Sequence, residues 1–283
     1  MIDTYWQYLT GTSLSGHEIP HKRRLGGPMS HPNIGNLLLK TALPVIGIVT
    51  MLLLSYKNHR YWIMFGLAIC ALIGLIPLTG ERSIALLSFL AIGVISICFF
   101  RSKPAWRIYI LGALSLLGIA LVGLYYTQEI VYYRTNLLIT NLTNFKDNYY
   151  GQLFTSGFGF WQEHPIFGIG PGQYRTLCLT HMEVFSITYC NIHPHNIYLE
   201  WMAETGIIGT SLFIAAMALI IQQLLPLLKE RETSIPAIFS LATFAVLLWP
   251  FIATQSVFSN WPAMLFWYSL SLAFCVPRIA SKT

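Results

Sequence analysis

About seven long apolar runs dominate this sequence, and they restrict the fold more than any other feature. A helix needs about 20 mainly apolar residues to cross the hydrocarbon core of a bilayer. A spanning helix also bonds every backbone amide within its own segment, which lipid requires. We therefore predict an all-α, polytopic transmembrane bundle of about seven helices. The runs cover residues 37–55, 61–78, 83–100, 106–126, 206–228, 236–254 and 261–277.

The charge content supports a membrane protein and argues against a nucleic-acid-binding one. Only 10% of the 283 residues are charged, whereas soluble domains average about 25%. The formal net charge is +6, which by itself would suit an acidic partner. The Lys and Arg residues lie mainly in short loops between apolar runs, however, so they indicate membrane topology and predict no nucleic-acid partner.

The distribution of Lys and Arg predicts which loops face the cytoplasm. One alternate set of loops holds most of the basic residues, including Lys57, Arg101 and Lys229, and such loops are cytoplasmic. The polar segment 127–205 then faces outward, into the periplasm if the chain is bacterial. A loop of this length usually has a function. We expect it to form a large periplasmic loop that contains short helices.

This topology divides the chain into four parts. They are an outer-facing segment 1–36, a four-helix transmembrane part 37–126, the loop 127–205, and a three-helix transmembrane part 206–283. No upstream helix is present to carry segment 1–36 across the membrane. We therefore expect this chain to be the C-terminal part of a longer protein, with further helices preceding Met1.

The stretch His193-Pro194-His195-Asn196 at the end of the outer loop is the first candidate for chemistry. An imidazole titrates near neutral pH and is suited to general acid or base catalysis. Asn196 would hold the tautomer of the ring or cap the helix that follows. Two histidines around a proline lack the further ligands of a zinc site, so no metal is predicted. The alternative is a loop histidine whose ring is simply hydrogen bonded.

Three alternating glycines, Gly168, Gly170 and Gly172, form the second candidate site. Glycines let a backbone turn sharply and present its amides to an anion. The stretch lacks the Gly-Lys-Ser/Thr ending of a Walker loop, and it does not have the spacing of a dinucleotide fingerprint. A tight turn that binds nothing is the alternative interpretation.

Arginines on the predicted outer side are candidates for binding phosphate. Arg82 stands between two apolar runs, and Arg134 and Arg175 lie in the outer segment. A guanidinium group donates two parallel hydrogen bonds, which matches the geometry of a phosphate. The alternative is an arginine whose side chain reaches up to the membrane interface, which suits Arg134 better than Arg82.

Two cysteines and two glutamates complete the predictions for the outer segment. Cys178 and Cys190 are the plausible disulfide pair, since an oxidising compartment favours the bond. It would close a loop before His195 and contribute about 3 kcal/mol. Glu200 and Glu204 are four residues apart, which predicts a solvated face of a short amphipathic helix at the membrane surface.

Several segments closely resemble the O-antigen ligase and polymerase superfamily of bacterial membrane glycosyltransferases. The resemblance is carried by Gln162-Glu163-His164-Pro165 through Gln173-Tyr174-Arg175, by Cys190-Asn191-Ile192-His193-Pro194-His195-Asn196, and by Ala203-Glu204-Thr205-Gly206. The ten residues between His195 and Gly206 match the spacing of its ligase signature. Two earlier segments, Leu25–Asn33 and Thr79–Ser83, resemble the superfamily in the same order.

The resemblance implies a multi-pass inner-membrane enzyme that needs neither a metal nor another cofactor. Its donor would be a glycan linked to undecaprenyl pyrophosphate, and its acceptor would be lipid A-core or a growing glycan, both held in membrane lipid. The resemblance implies that His195 is the catalytic residue. It assigns Arg82 to the pyrophosphate. The remaining substrate-binding residues are expected to be Arg175, His193, Asn196, Gly170 and Gly172.

Two other functions remain open at this stage. A repeat-unit polymerase of the same superfamily would use the same donor and differ in its acceptor. A non-catalytic transport or assembly protein belongs to another class, and a transporter would carry polar residues or helix breaks deep inside its apolar runs. The polar residues of this chain concentrate at the outer face instead, which favours an enzyme.

Overall fold

A computed structural model describes most of the chain, and the regular elements in the described part are helices. The described residues are 1–19, 24–29, 34–55, 59–102, 105, 107–145, 148–180, 191–230, 233–251 and 254–280. The helices are α1 (Ile2–Thr10), α2 (Ile34–Ser55), α3 (His59–Leu78), α4 (Arg82–Ser102), α5 (Arg107–Thr127), α6 (Glu129–Thr143), α7 (Tyr149–Glu163), α8 (Tyr174–Thr180), α9 (Ile197–Leu224), α10 (Ser234–Leu247) and α11 (Asn260–Ala280). The predicted all-α fold is confirmed.

Six helices in the described part are long and apolar enough to cross a membrane, so the protein is a multi-pass membrane protein. The six are α2, α3, α4, α5, α9 and α11. The predicted number of about seven spanning helices was therefore too high. The discrepancy lies in the run at 236–254, which corresponds to α10.

Helix α10 is too short to span a bilayer in the way the sequence predicted. It has 14 residues, which gives a length of about 21 Å at 1.5 Å per residue. The hydrocarbon core is about 30 Å thick. Pro250 lies three residues beyond the end of the helix at Leu247. Proline disfavours helical backbone at the residue before it, so the apolar run continues while the helix does not.

The chain forms two compact units. The first contains Met1–Ile139, Leu224–Val246 and Leu272–Thr283, and the second contains Thr140–Gln223 and Leu247–Ser271. In the first unit, the polar N-terminal segment contributes to the interior through Gln7, which is fully buried. Its side-chain oxygen accepts hydrogen bonds from the amides of Gly26 (3.0 Å) and Gly27 (2.8 Å). This fixes the turn that leads to the buried Leu25.

In the second unit, helix α9 breaks at Gly206 and the glycine-rich turn fills the break. Gly206 has φ 64° and ψ −167°, which is not helical. A break leaves carbonyls before it and amides after it without helical partners. Residues of the turn satisfy them on both sides. The bonds run from Ile169 N to Ala203 O (2.9 Å), from Gly170 N to Glu204 O (2.9 Å), and from Ile207 N to Pro165 O (2.8 Å).

The structure corrects the prediction of a short surface helix with a solvated acidic face. Residues 197–204 are the first turns of α9, which is itself a candidate membrane span. Glu200 and Glu204 are each 2% exposed. The spacing of four residues correctly predicted that the two glutamates share one helical face. That face packs inward, and both carboxylates accept backbone hydrogen bonds there.

We predict that Gly206→Ala lowers the free energy of unfolding by more than ~2 kcal/mol. The strain of a positive φ in a residue with a Cβ and a backbone collision each destabilise the variant. A Cβ at this position would collide with the backbone of Ile166 and Phe167. The matched control is Gly159→Ala in α7, where a Cβ meets nothing within 4 Å. Thermal unfolding in detergent measures both variants.

The control should unfold at or above the wild-type temperature, because alanine favours a helix by about 1 kcal/mol over glycine. Equal unfolding temperatures for the two variants would contradict the close backbone packing at Gly206.

Candidate functional site

The loop before α9 holds His195 in an unusual backbone conformation. Its φ is 55°, the left-handed region that residues with a Cβ rarely adopt. The amide of Thr254 donates a hydrogen bond of 2.8 Å to the His195 carbonyl. A strained backbone persists only where its surroundings fix it, and such residues cluster at functional sites. The backbone conformation of His195 therefore favours a functional residue over an ordinary loop histidine.

Asn196 caps α9, which is one of the two roles predicted for it. Its Oδ1 accepts hydrogen bonds from the amides of Tyr198 (3.0 Å) and Leu199 (3.1 Å). Its Nδ2 donates to the carbonyl of Pro250 (2.7 Å). The side chain thus ties the start of the helix to the segment that follows α10, and the orientation of the preceding His195 is fixed with it.

His193 is buried directly behind His195. The two ring centroids are 4.2 Å apart, and His193 Nε2 donates to the Thr254 carbonyl at 3.2 Å. Burial lowers the pKa of His193 to about 3, and the neighbouring His195 shifts it in the same direction. The ring is therefore neutral at neutral pH. Thr254 holds both histidines, through its carbonyl and through its amide.

The ring of His195 accepts a hydrogen bond at Nε2. Asn191 Nδ2 lies 3.1 Å from this nitrogen. The orientation of the amide is fixed, because Asn191 Oδ1 accepts a hydrogen bond of 2.6 Å from Ile192 N. An amide nitrogen only donates, so Nε2 is the acceptor and the neutral ring carries its proton on Nδ1. Burial lowers the pKa of His195, with partial opposition from the Thr254 carbonyl.

Two tyrosines of α7 stand beside the His195 ring. The ring centroids of Tyr149 and Tyr150 lie 6.2 Å and 5.8 Å from that of His195. The Tyr149 hydroxyl accepts a hydrogen bond from Asn191 Nδ2. Asn148 caps the helix through the amides of Tyr150 and Gly151, which fixes the backbone that carries both rings.

The carboxylate of Glu204 organises the glycine-rich turn. It accepts hydrogen bonds from the amides of Gly172 (2.5 Å) and Tyr174 (3.2 Å). The amide of Gly170 donates to the backbone carbonyl of the same glutamate (2.9 Å). In this conformation, neither glycine presents the free amide on which an anion site would depend. The arrangement fits the alternative of a tight turn.

Glu200 ties α9 to the segment before α11. Its Oε2 accepts a hydrogen bond of 2.9 Å from Val257 N. The segment that contains Thr254 is therefore attached to the start of α9 as well as to the histidine loop. A buried carboxylate with a backbone donor is a strong, charge-assisted contact.

The two arginines expected to bind the substrate, Arg82 and Arg175, belong to different units. Arg175 is exposed near the start of α8 in the second unit. Arg82 begins α4 in the first unit, and its side chain lies outside the described residues. The preceding Glu81 is buried and accepts a hydrogen bond of 2.6 Å from Gly35 N. Burial raises the pKa of Glu81 to about 7, while Arg24 opposes the shift.

Cys178 is buried in α8 against Phe160, Tyr174 and Ala203, and it is disulfide-bonded. Its predicted partner, Cys190, lies outside the described residues, so the pairing stays a prediction. Among the described cysteines, Cys70, Cys98 and Cys275 are not disulfide-bonded. Within the described ranges, no group of three or more His, Cys, Asp or Glu residues could hold a metal ion.

Three residues of this site were not predicted from the sequence: Tyr149, Tyr150 and Thr254. The sequence does carry a signal for the helix start at which the tyrosines lie, because Asn148 directly before them is the helix cap. Thr254 had none, because it lies 61 residues from His193. Asn191 stood inside the quoted motif, but its contact with His195 depends on the shape of the loop.

The sequence matches a model of a known protein family. The family is described as O-antigen ligase, and the match covers residues 67–214, which is more than half of the chain. The matched region contains Arg82, the glycine-rich turn and the histidine loop, and it ends within α9. A search of curated proteins found no match.

We predict that Glu204→Ala lowers the free energy of unfolding by roughly 2–4 kcal/mol, because the buried amide of Tyr174 and the partly buried amide of Gly172 lose their acceptor. Glu204→Gln should fall between this variant and wild type, since one amide oxygen remains to accept. Glu163→Ala at the exposed end of α7 is the matched control. Chemical denaturation in detergent provides the measurement. Loss of stability in the control as large as in Glu204→Ala would refute the role of the carboxylate.

Proposed function

Because this chain belongs to the O-antigen ligase family, we propose that it transfers a glycan from undecaprenyl pyrophosphate to lipid A-core. Family membership makes it a glycosyltransferase-like membrane enzyme of the ligase or polymerase type, with a lipid-linked glycan donor and a glycan acceptor. The specific donor and acceptor are part of the proposal. The observation that carries it is the neutral, fixed His195, whose Nε2 accepts a hydrogen bond.

In the proposed reaction, His195 is the general base. A hydroxyl of the acceptor donates its proton to Nε2 while its oxygen attacks the anomeric carbon of the donor glycan. The bond between that carbon and the pyrophosphate oxygen breaks, and the pyrophosphate leaves with the bonding electrons. A base must be unprotonated before the reaction, so the lowered pKa of His195 supports this role.

We assign Arg82 and Arg175 to the pyrophosphate. The leaving group gains negative charge in the transition state, and guanidinium groups stabilise such charge through paired hydrogen bonds. The exposure of Arg175 leaves its side chain accessible to a ligand. The arginines would supply the positive charge, so the proposed reaction uses no metal ion. Gly170 and Gly172 would shape the turn rather than bind the phosphates.

An apolar cleft in the first unit supports a lipid-linked donor. Its volume is about 390 Å³, and its walls come from α3, α4, α5 and α6. Ile76, Phe89 and Leu121 are among the apolar side chains that line it. We assign this cleft to part of the prenyl chain, because such a chain has only apolar surface to bury.

The proposed location is the bacterial inner membrane, with the histidine loop in the periplasm. The short loops rich in Lys and Arg support this orientation by the positive-inside rule. The donor would reach the site from the outer leaflet. Both the acceptor and the donor would then remain anchored in membrane lipid during transfer.

We predict that His195→Ala reduces glycan transfer by at least about 100-fold, the usual contribution of a general base. The assay uses purified protein in nanodiscs, lipid-linked repeat units and lipid A-core, with and without a chelator. His164→Ala replaces an exposed histidine of the same unit and serves as the control.

Transfer at the wild-type rate by a folded His195→Ala protein would reject the proposed chemistry.

The acceptor decides between a ligase and a polymerase of the superfamily. Extension of repeat units without modification of lipid A-core would identify a polymerase, and loss of activity with the chelator would reject the metal-free reaction.

A further inference from the structure

We propose that Tyr149, Tyr150 and Asn191 form the subsite for the acceptor sugar, a pyranose ring presented next to His195. This inference rests on the proposed function and deepens it, because it assigns residues that recognise one of the two substrates. It starts from side chains that the general-base chemistry leaves unused. Asn191 contacts the nitrogen that would receive the proton, and the two tyrosine rings lie beside the His195 ring.

The aromatic surface of this subsite is fixed before any ligand arrives. The centroids of the Tyr149 and Tyr150 rings are 5.7 Å apart, and both lie about 6 Å from His195. The Asn148 cap holds the two tyrosines at the first turn of α7. Tyr149 is nevertheless 42% exposed. A large aromatic ring that is fixed yet exposed offers a flat apolar surface to a ligand.

The polar groups suit a sugar hydroxyl. Asn191 Nδ2 donates to Tyr149 and approaches His195 Nε2 at 3.1 Å. A hydroxyl both donates and accepts. Because 3.1 Å leaves no room for an oxygen between the two nitrogens, the hydroxyl displaces their contact, accepting from Asn191 Nδ2 and donating to His195 Nε2. The same hydroxyl then loses its proton to Nε2, forms the new glycosidic bond and displaces the pyrophosphate.

The uncharged side chains of the subsite fit the acceptor sugar better than the pyrophosphate-bearing donor. The donor is distinguished by its pyrophosphate, which requires cations. Tyrosine and asparagine carry no charge at neutral pH, and they combine a flat apolar face with hydrogen-bonding groups. A pyranose has the complementary surface, with C–H groups on one face and hydroxyls at its edge. Small-molecule sites commonly join aromatic walls with a few placed polar groups.

The first test separates the ring of Tyr149 from its hydroxyl. Tyr149→Leu should raise the KM for the acceptor by about tenfold, with the donor KM changed by no more than about twofold. Tyr149→Phe keeps the ring and should have a smaller effect. Tyr133→Leu replaces an exposed tyrosine of α6 and should leave both constants unchanged.

The probes are lipid A-core oligosaccharide and undecaprenyl-pyrophosphate-linked repeat units, each tested as acceptor with the other conditions unchanged. The probe whose KM rises in Tyr149→Leu identifies the source of the acceptor sugar. A rise in the donor KM alone, or a fall in kcat with an unchanged acceptor KM, would overturn the subsite.

A binding measurement distinguishes failure of the subsite from failure of the proposed function. Saturation-transfer NMR with core oligosaccharide should show contact with wild-type protein and with Tyr133→Leu, and weaker contact with Tyr149→Leu. This pattern without any transfer would retain the subsite and reject the transferase. Equal contact for all three proteins would reject the subsite, whatever the transfer assay shows.

Discussion

The hydrogen bonds that close the break in α9 are the interaction on which the second unit depends. A helix break removes the helical partners of the polar groups around it, so those at Gly206 need partners from elsewhere in the protein. The glycine-rich turn provides them through Ile169, Gly170 and Pro165. Two backbone segments meet too closely for side chains, since a Cβ at Gly168 or Gly206 would enter the opposing backbone. The glycines are therefore required by packing.

This closure fixes the site because the same helix carries the histidine loop at its N-terminal end. Asn196 caps α9, and Glu200 attaches it to the segment that contains Thr254. Thr254 in turn bonds both His193 and His195. A general base gains from such rigidity, since a misplaced group loses much of its catalytic effect. The strained backbone of His195 is thus maintained by contacts on both sides.

The sequence was informative where a pattern is local and uninformative where contacts are distant. Apolar runs predicted the spanning helices, except at α10, where Pro250 ends helical geometry before the apolar run ends. The histidine motif is recognisable in the sequence, and its catalytic role stays a prediction. The Asn196 cap was one of two predicted roles. The burial of Glu204 was missed because its partner Gly172 lies 32 residues away. Helical spacing identifies a face, but it does not tell whether that face contacts water or a turn.

The proposed function requires His195 to be a neutral base with its proton on Nδ1. Nitrogen-15 NMR of histidine-labelled protein in nanodiscs measures this directly, with His195→Gln used to assign the signal. We predict an unprotonated Nε2 at pH 7 and a pKa below the usual value of about 6.5. An imidazolium ring at pH 7, or a neutral ring with its proton on Nε2, would contradict it.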